Sequence, residues 1–362
     1  MRVVKWIKTS SNLNVAGSSR WHNLLAGLLL TASVLSSQAQ SSLSVTDYGA
    51  VGDAVQFSAN TVSNSSLVTT TTAFTSAAIG NAIEIFGAGA HTYGKNSYNV
   101  TNYGNQDLIC RVTNIVNGTN LYLDIPPQAT LTNAFAYCGH DNHTNFQNCI
   151  DAANGTNVII NIPTGKYLLL ATNRPDQLPI ADPTAWSAIN LRKGGLHFIG
   201  EGTNNTFLIA QSAWHYVPLT GWCVRGCIFF VTPPITNDYP VSIENLTLDG
   251  GLTNGYTPNL PRPFPANIVD GNGWDGSHVA YDERGFTGHV FTHLLWTNLL
   301  FSHWRGEIVK SNGHATNGNL TMVNCTFEDG NATAFNIYDS LLITNCFFDN
   351  LFQVSEYYQL DS

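Results

Sequence analysis

Apolar residues recur in a fixed frame around four asparagines in the second half of the chain. Around Asn245 they are Val241, Ile243, Leu246 and Leu248; around Asn298 they are Leu294, Trp296, Leu299 and Phe301. Around Asn324 they are Leu320, Met322, Cys325 and Phe327; around Asn345 they are Leu341, Ile343, Cys346 and Phe348. On each side of the Asn the apolar positions alternate, the period of a strand with one buried face. Across the Asn the parity slips by one residue. A sharp bend there lets both arms face the same interior, and Asn suits it because it tolerates left-handed backbone and hydrogen-bonds locally.

The Asn-to-Asn steps are 53, 26 and 21 residues. A repeat of about 20–30 residues, made of short strands and bends, predicts stacked coils spaced about 4.8 Å apart. Asn324 is then expected over Asn345, Cys325 over Cys346 and Phe327 over Phe348. The 53-residue step is either one coil with a large excursion or two coils with one disguised. Asn245-Leu-Thr and Asn324-Cys-Thr match the glycan-acceptor pattern, yet inside a repeat bend they read as inward-facing ladder residues. Cys325 and Cys346 read as stacked small hydrophobes rather than catalytic thiols, since no base adjoins them in the sequence.

Upstream the pattern changes. In "DNHTNFQNCIDAANGTNVIINIPTGKYLLL" (141–170), Phe146, Cys149, Ile150 and Ala153 are spaced for one face of a short helix. "NVIINIP" and "YLLL" then read as strands about the turn "TGK", and "GGLHFIGEGTNNTFLIA" (194–210) adds two more around a Gly-rich bend. These pieces follow Asp47-Tyr48-Gly49-Ala50-Val51-Gly52-Asp53 at a distance. In that order, with Pro163-Thr164-Gly165-Lys166-Tyr167, Gly200-Glu201-Gly202 and Thr206-Phe207-Leu208, the chain resembles the rhamnogalacturonase/epimerase-like proteins of the pectate-lyase superfamily. The resemblance covers 45–53 and 140–210 through motifs, and 241–350 through the coil pattern alone. It implies an all-β fold, a right-handed parallel β-helix whose first end is plugged by the short helix.

Residues 54–139 separate the two family segments and read as a small inserted β unit. Asn117-Gly118 between two strand-like runs is its hairpin signal. Capping is the favoured role for this insert, with carbohydrate contact the other. The expected organisation is a segment 1–39, a β-helix from 40–53 and 140–362, and the insert 54–139. After the last coil the sequence carries no evident capping element, so that end is expected to be covered by the last strands, a partner or further chain.

Residues 1–39 read as a secretory signal. Arg2, Lys5, Lys8 and Arg20 precede the apolar "LLAGLLLTASVL" (24–35), and "SSQA" ends on the small residue Ala39. The apolar run is shorter than the roughly 20 residues a membrane span needs. The expected location is therefore secreted, cell-surface or periplasmic, with no membrane span after signal removal. Removing the signal leaves 11 Lys and Arg against 24 Asp and Glu, a net charge near −13. Such a balance excludes nucleic acid as the expected partner. It leaves a polysaccharide, if acidic, to be held by local Arg and Lys or a bridging cation. Seven cysteines are present; Cys110–Cys138 and Cys223–Cys227 are candidate bridges, and no spacing suggests zinc.

Charged residues make up only 11% of the chain, so their clustering is informative. The stretch 249–293 is Pro/Gly-rich and too long for an ordinary connection. It holds Asp249, Asp270, Trp274, Asp275, Tyr281, Asp282, Glu283 and Arg284; the coil after it adds His303, Trp304, Arg305, Glu307 and Lys310, and the next Glu328 and Asp329. Aromatic faces stack on sugar rings, carboxylates perform acid/base work, and cations hold a uronate. Glu307, Asp282, Glu283 and Arg305 are the candidate catalytic residues. Trp274, Tyr281, His303, Trp304 and Lys310 are the candidate substrate contacts. Each also has a plainer reading as turn-former or solvated surface.

No metal site or cofactor is assigned from the sequence. "DGNGWDG" (270–276) faintly suggests a calcium loop, but its spacing departs from the EF-hand pattern. The family's polygalacturonase-like members carry an Asp pair before the strand where this chain has Arg305-Gly306-Glu307-Ile308. Neither Gly-His-Gly nor Arg-x-Lys follows. The expected function is hydrolysis or β-elimination of a complex polysaccharide beside 249–314, with non-catalytic glycan binding or adhesion as the alternative.

Overall fold

All four repeat asparagines adopt left-handed backbone, with φ of 57° at Asn245, 52° at Asn298, 54° at Asn324 and 52° at Asn345. This is the bend that the parity slip requires. The structure is a computed structural model describing residues 41–89, 108–154, 156–170, 187–211, 215–217, 222–231, 239–250, 282–288, 293–303, 309–311, 319–336 and 340–355. Met1–Ala39 and Gln40–Ser362 separate as two units, and the first lies outside the described residues. Among the described residues no helix is long and apolar enough to cross a membrane.

The chain is mostly β, and its main sheet is built from stacked parallel coils. The first ladder pairs Ser41–Ser44, Val158–Ile162, Leu196–Gly200, the front of Val241–Asp249, the front of His293–Ser302, Asn319–Val323 and Ser340–Thr344. The second, beyond the bends, pairs Gly165–Leu170, Thr206–Gln211, the ends of Val241–Asp249 and His293–Ser302, and the fronts of Thr326–Asn336 and Phe347–Ser355. The third pairs Ser187–Leu191, Trp222–Val231, Asp282–Gly288, Val309–Ser311 and the end of Thr326–Asn336. Leu246 pairs directly with Leu299 across the 53-residue step. That step is therefore one coil with a long excursion, since a hidden coil would stand between them.

Each arm turns its apolar residues inward. Ile160, Phe198, Ile243, Trp296 and Met322 fill the interior from the first ladder; Leu248, Phe301 and Phe327 fill it from the second. The Phe301 and Phe327 rings stack at 4.5 Å and 1°, and Phe327 and Phe348 at 5.1 Å and 12°. The asparagines do not face inward as expected. Asn298, Asn324 and Asn345 are exposed, because the residues at −2 and +1 both take the interior and push the bend residue out. They still form ladders: Asn298 Nδ2 donates to Asn245 Oδ1 at 3.0 Å, and Asn345 Nδ2 to Asn324 Oδ1 at 2.6 Å.

The helix His143–Ala152 closes one end, burying Phe146, Cys149 and Ile150. Its Gln147 takes the place of a neighbouring strand. Gln147 Oε1 accepts from the N–H of Asn190 at 2.8 Å, and Nε2 donates to the Asn190 carbonyl at 3.2 Å.

Between Asp53 and His140 the chain leaves the coils and forms a closed antiparallel barrel. Its strands are Val55–Thr61, Leu67–Thr70, Ala82–Ile85, Leu108–Ile115, Asn120–Leu123 and Leu131–Gly139. Phe57, Val68, Ile83, Val112 and Leu121 fill its interior. Gly118 turns the hairpin with φ 72°. Where the chain departs, Gly52 crosses Gly165 so closely that a Cβ on Gly52 would sit 2.7 Å from the Gly165 Cα. Asn142 is fully buried and ties the two barrel connections together, accepting from Val51 N at 2.7 Å and donating to the Val51 and His140 carbonyls at 3.0 and 2.8 Å.

The candidate bridge Cys110–Cys138 does not form. Cys110 and Cys138 are free thiols paired to opposite sides of Ile83, with a whole strand between them. Cys223 and Cys227 lie on the strand Trp222–Val231, whose register shifts between Val224 and Cys227.

Candidate functional site

The outer face of the second ladder changes character along its length. In register, one outward row runs Leu168, Ile209, Asp249, Ser302, Glu328, Asp349. Leu168 and Ile209 are buried with Ala54 and Tyr137, and Phe86, Phe135 and Phe207 pack around them. The barrel thus sits on this face over the first coils. Immediately beyond it the row turns polar and acidic. Asp249 is 7% exposed, Ser302 is buried, Glu328 half-buried and Asp349 exposed.

The row follows from the repeat. Each of its four polar members stands four residues after its Asn and one after an inward Leu or Phe, so strand alternation turns it outward. Coil spacing of about 4.8 Å puts the Glu328 and Asp349 backbones roughly 5 Å apart and those of Asp249 and Glu328 roughly 10 Å apart. Glycoside hydrolysis uses carboxyl pairs about 5–5.5 Å apart in retaining enzymes and about 6.5–9.5 Å apart in inverting ones. In register, Glu328 has one acid a single coil away, Asp349, and another two coils away, Asp249.

His303 adjoins this row. It ends its strand in left-handed backbone, φ 59°, and its Nδ1 lies 3.2 Å from Asp249 Oδ1. An acid beside an imidazole nitrogen in this way orients the ring. Gly250 N–H donates to the Ser302 carbonyl at 2.9 Å, fixing the point where the long excursion departs.

A second polar chain lies on the outer face of the first ladder. His197 Nδ1 is 2.9 Å from Ser242 Oγ, and Ser242 Oγ donates to Glu244 Oε1 at 2.9 Å. The serine proton is committed to Glu244, so His197 Nδ1 is the donor. Burial lowers the His197 pKa, and the Glu244 charge opposes it. A histidine whose folded pKa lies below its unfolded one favours the fold while neutral. That stability is complete above the unfolded value, about 6.5, and declines as pH falls through it toward the folded value. Melting curves at pH 7.5 and 5.5 should therefore show a larger acid loss for the native chain than for His197→Asn; equal losses refute this.

Of the sequence candidates, Trp274, Tyr281, Trp304, Arg305 and Glu307 lie outside the described residues. Asp282 and Glu283 open the strand Asp282–Gly288, and Lys310 is central in Val309–Ser311. Both strands belong to the third ladder, whereas His303 adjoins the acidic row on the second. Asp249 and Glu328 fall among the clustered charges of the sequence, whereas Ser302 and Asp349 lie outside that cluster's candidates. The signal was available: extending the repeat alignment one position past the inward Leu or Phe gives Asp249, Ser302, Glu328 and Asp349. The calcium-like stretch 270–276 also lies outside the described residues. Among the described residues no three His, Cys, Asp or Glu stand close enough together to hold a metal ion.

No family model and no curated protein matches this chain. Among solved structures it is similar to the A-module of a mannuronan C-5 epimerase from Azotobacter vinelandii, with 13% identity over 58% of this chain and 46% of that one, TM-score 0.33. It is also similar to the catalytic domain of Agl-KA, with 12% identity over 84% and 63%, TM-score 0.37. A third is the catalytic domain of a GH87 α-1,3-glucanase, with 11% identity over 84% and 52%, TM-score 0.32. The chain spans about half to just under two thirds of these structures.

Proposed function

We propose that this chain is an exported right-handed parallel β-helix that hydrolyses a complex polysaccharide along the outer face of its second ladder. The hand is the one that nearly all parallel crossover connections take. The observation that carries the function is the outward row Asp249, Ser302, Glu328, Asp349, beginning where the barrel ends. A glycan lying along the stack would present successive sugars to successive coils. Glu328 protonates the departing glycosidic oxygen in this reading. The second carboxylate is Asp349 if it attacks the anomeric carbon, or Asp249 if it activates water from the opposite side. Arg305, Glu307 and Lys310, which follow His303 in the sequence, are proposed to contact the substrate. The barrel is proposed to wall one end of the groove.

The test is to incubate purified protein with a panel of neutral and uronate-containing polysaccharides. New reducing ends without unsaturated uronate absorbance are expected. Unsaturated products would replace hydrolysis by β-elimination, and binding without either product would replace the enzyme by a glycan-binding protein.

A further inference from the structure

Cys325 and Cys346 occupy the same place in consecutive coils. The residues that follow them, Thr326 and Phe347, are paired in register, and Phe347 N–H donates to the Cys325 carbonyl at 2.9 Å. Neighbouring-strand spacing puts their Cα atoms about 4.8 Å apart, within the roughly 4.4–6.8 Å that a disulfide bridges. Cys325 Sγ lies 3.6 Å from the Trp296 carbonyl and 3.5 Å from that of Val323; Cys346 Sγ is 3.5 Å from the Thr344 carbonyl. Cys325 is buried in the core, and Cys346 is only partly covered.

We propose that Cys325 and Cys346 form a dithiol that closes to an inter-coil disulfide by exchange with a small-molecule disulfide. The Cys346 thiolate attacks one sulfur of the oxidant, the external S–S bond breaks, and the departing thiolate takes up the proton Cys346 lost. The Cys325 thiolate then attacks Cys346 Sγ in the mixed disulfide and expels the second external thiolate, which takes up the Cys325 proton. Two protein thiols are oxidised and one external disulfide is reduced to two thiols. The order follows from access and from charge. The neighbouring Cys346, and then burial, push the Cys325 thiol up; the neighbouring Cys325 draws Cys346 down to about 7.

The bridge would tie Thr326–Asn336 to Phe347–Ser355 at their first residues. Glu328 and Asp349, already paired in register, each stand three positions beyond a bridging cysteine, so the oxidised form adds a covalent tie beside this carboxylate pair. The disulfide itself does not depend on the hydrolase reading.

The full chain, purified reduced, is incubated with oxidised glutathione at neutral pH, quenched in acid, digested without reductant and analysed by mass spectrometry. The expected product is one cross-linked peptide pair containing Cys325 and Cys346, lighter by two hydrogens than the separate peptides and released by dithiothreitol. Cys325→Ser should instead hold glutathione on Cys346, an adduct that the native chain does not accumulate. Both cysteines remaining alkylatable, a persistent glutathione adduct in the native chain, or a covalent dimer through Cys346 would each overturn the proposal. Should Cys325→Ser fail to fold, the native peptide map decides alone.

Discussion

Phe327→Ala is expected to destabilise the chain by about 3–5 kcal/mol, the usual cost of deleting a fully buried aromatic ring. Phe327 is 0% exposed and lies between Phe301 and Phe348, with Trp296 against Phe301 at 5.4 Å. Removing the middle ring leaves a void bounded by coils whose backbones are locked in register by parallel hydrogen bonding, so the stack has little freedom to collapse. In a solenoid each coil is supported mainly by its neighbours. The loss should therefore fall first on the strands Ser340–Thr344 and Phe347–Ser355. Phe327→Leu, which fills most of the space, should cost clearly less. Equilibrium urea unfolding measures both, with hydrogen exchange to locate the weakened coils. A loss near 1 kcal/mol for Phe327→Ala would mean that the neighbouring rings close over the gap.

The repeat made the interior legible because a strand with one buried face writes its period into the sequence. The slip at each Asn revealed the bend, and the Phe327–Phe348 stack followed from the same frame. The short helix showed itself through Phe146, Cys149, Ile150 and Ala153. What the period cannot show is pairing between distant strands. The barrel closes through Val55 with Cys138, a contact across the whole insert that no local pattern records. The Cys110–Cys138 bridge failed for the same reason: spacing along the chain does not reveal the strand Ala82–Ile85 lying between them. The acidic row was hidden differently. A single Asp, Ser or Glu after a Phe looks like ordinary solvated surface, and only the register of successive coils turns four such residues into a line.

Glu328→Gln is expected to lower kcat by about 10³-fold while leaving the fold intact, the scale of losing a positioned general acid. Glutamine keeps the shape of the side chain and removes its transferable proton. Glu328 faces outward from the ladder and is half-buried, so the interior packing does not depend on its charge. Both pairings of the row include it, and its loss is costly whichever partner acts. The products of the native chain distinguish the partners: retained anomeric configuration indicates Glu328 with Asp349, and inversion indicates Glu328 with Asp249. NMR of the first-formed sugar reads this directly. Circular dichroism and the melting midpoint of Glu328→Gln should match the native chain. Glu307→Gln supplies the rival outcome. If it abolishes turnover while Glu328→Gln does not, the chemistry belongs to the stretch between Ser302 and Val309, and the acidic row becomes a binding surface for the same glycan.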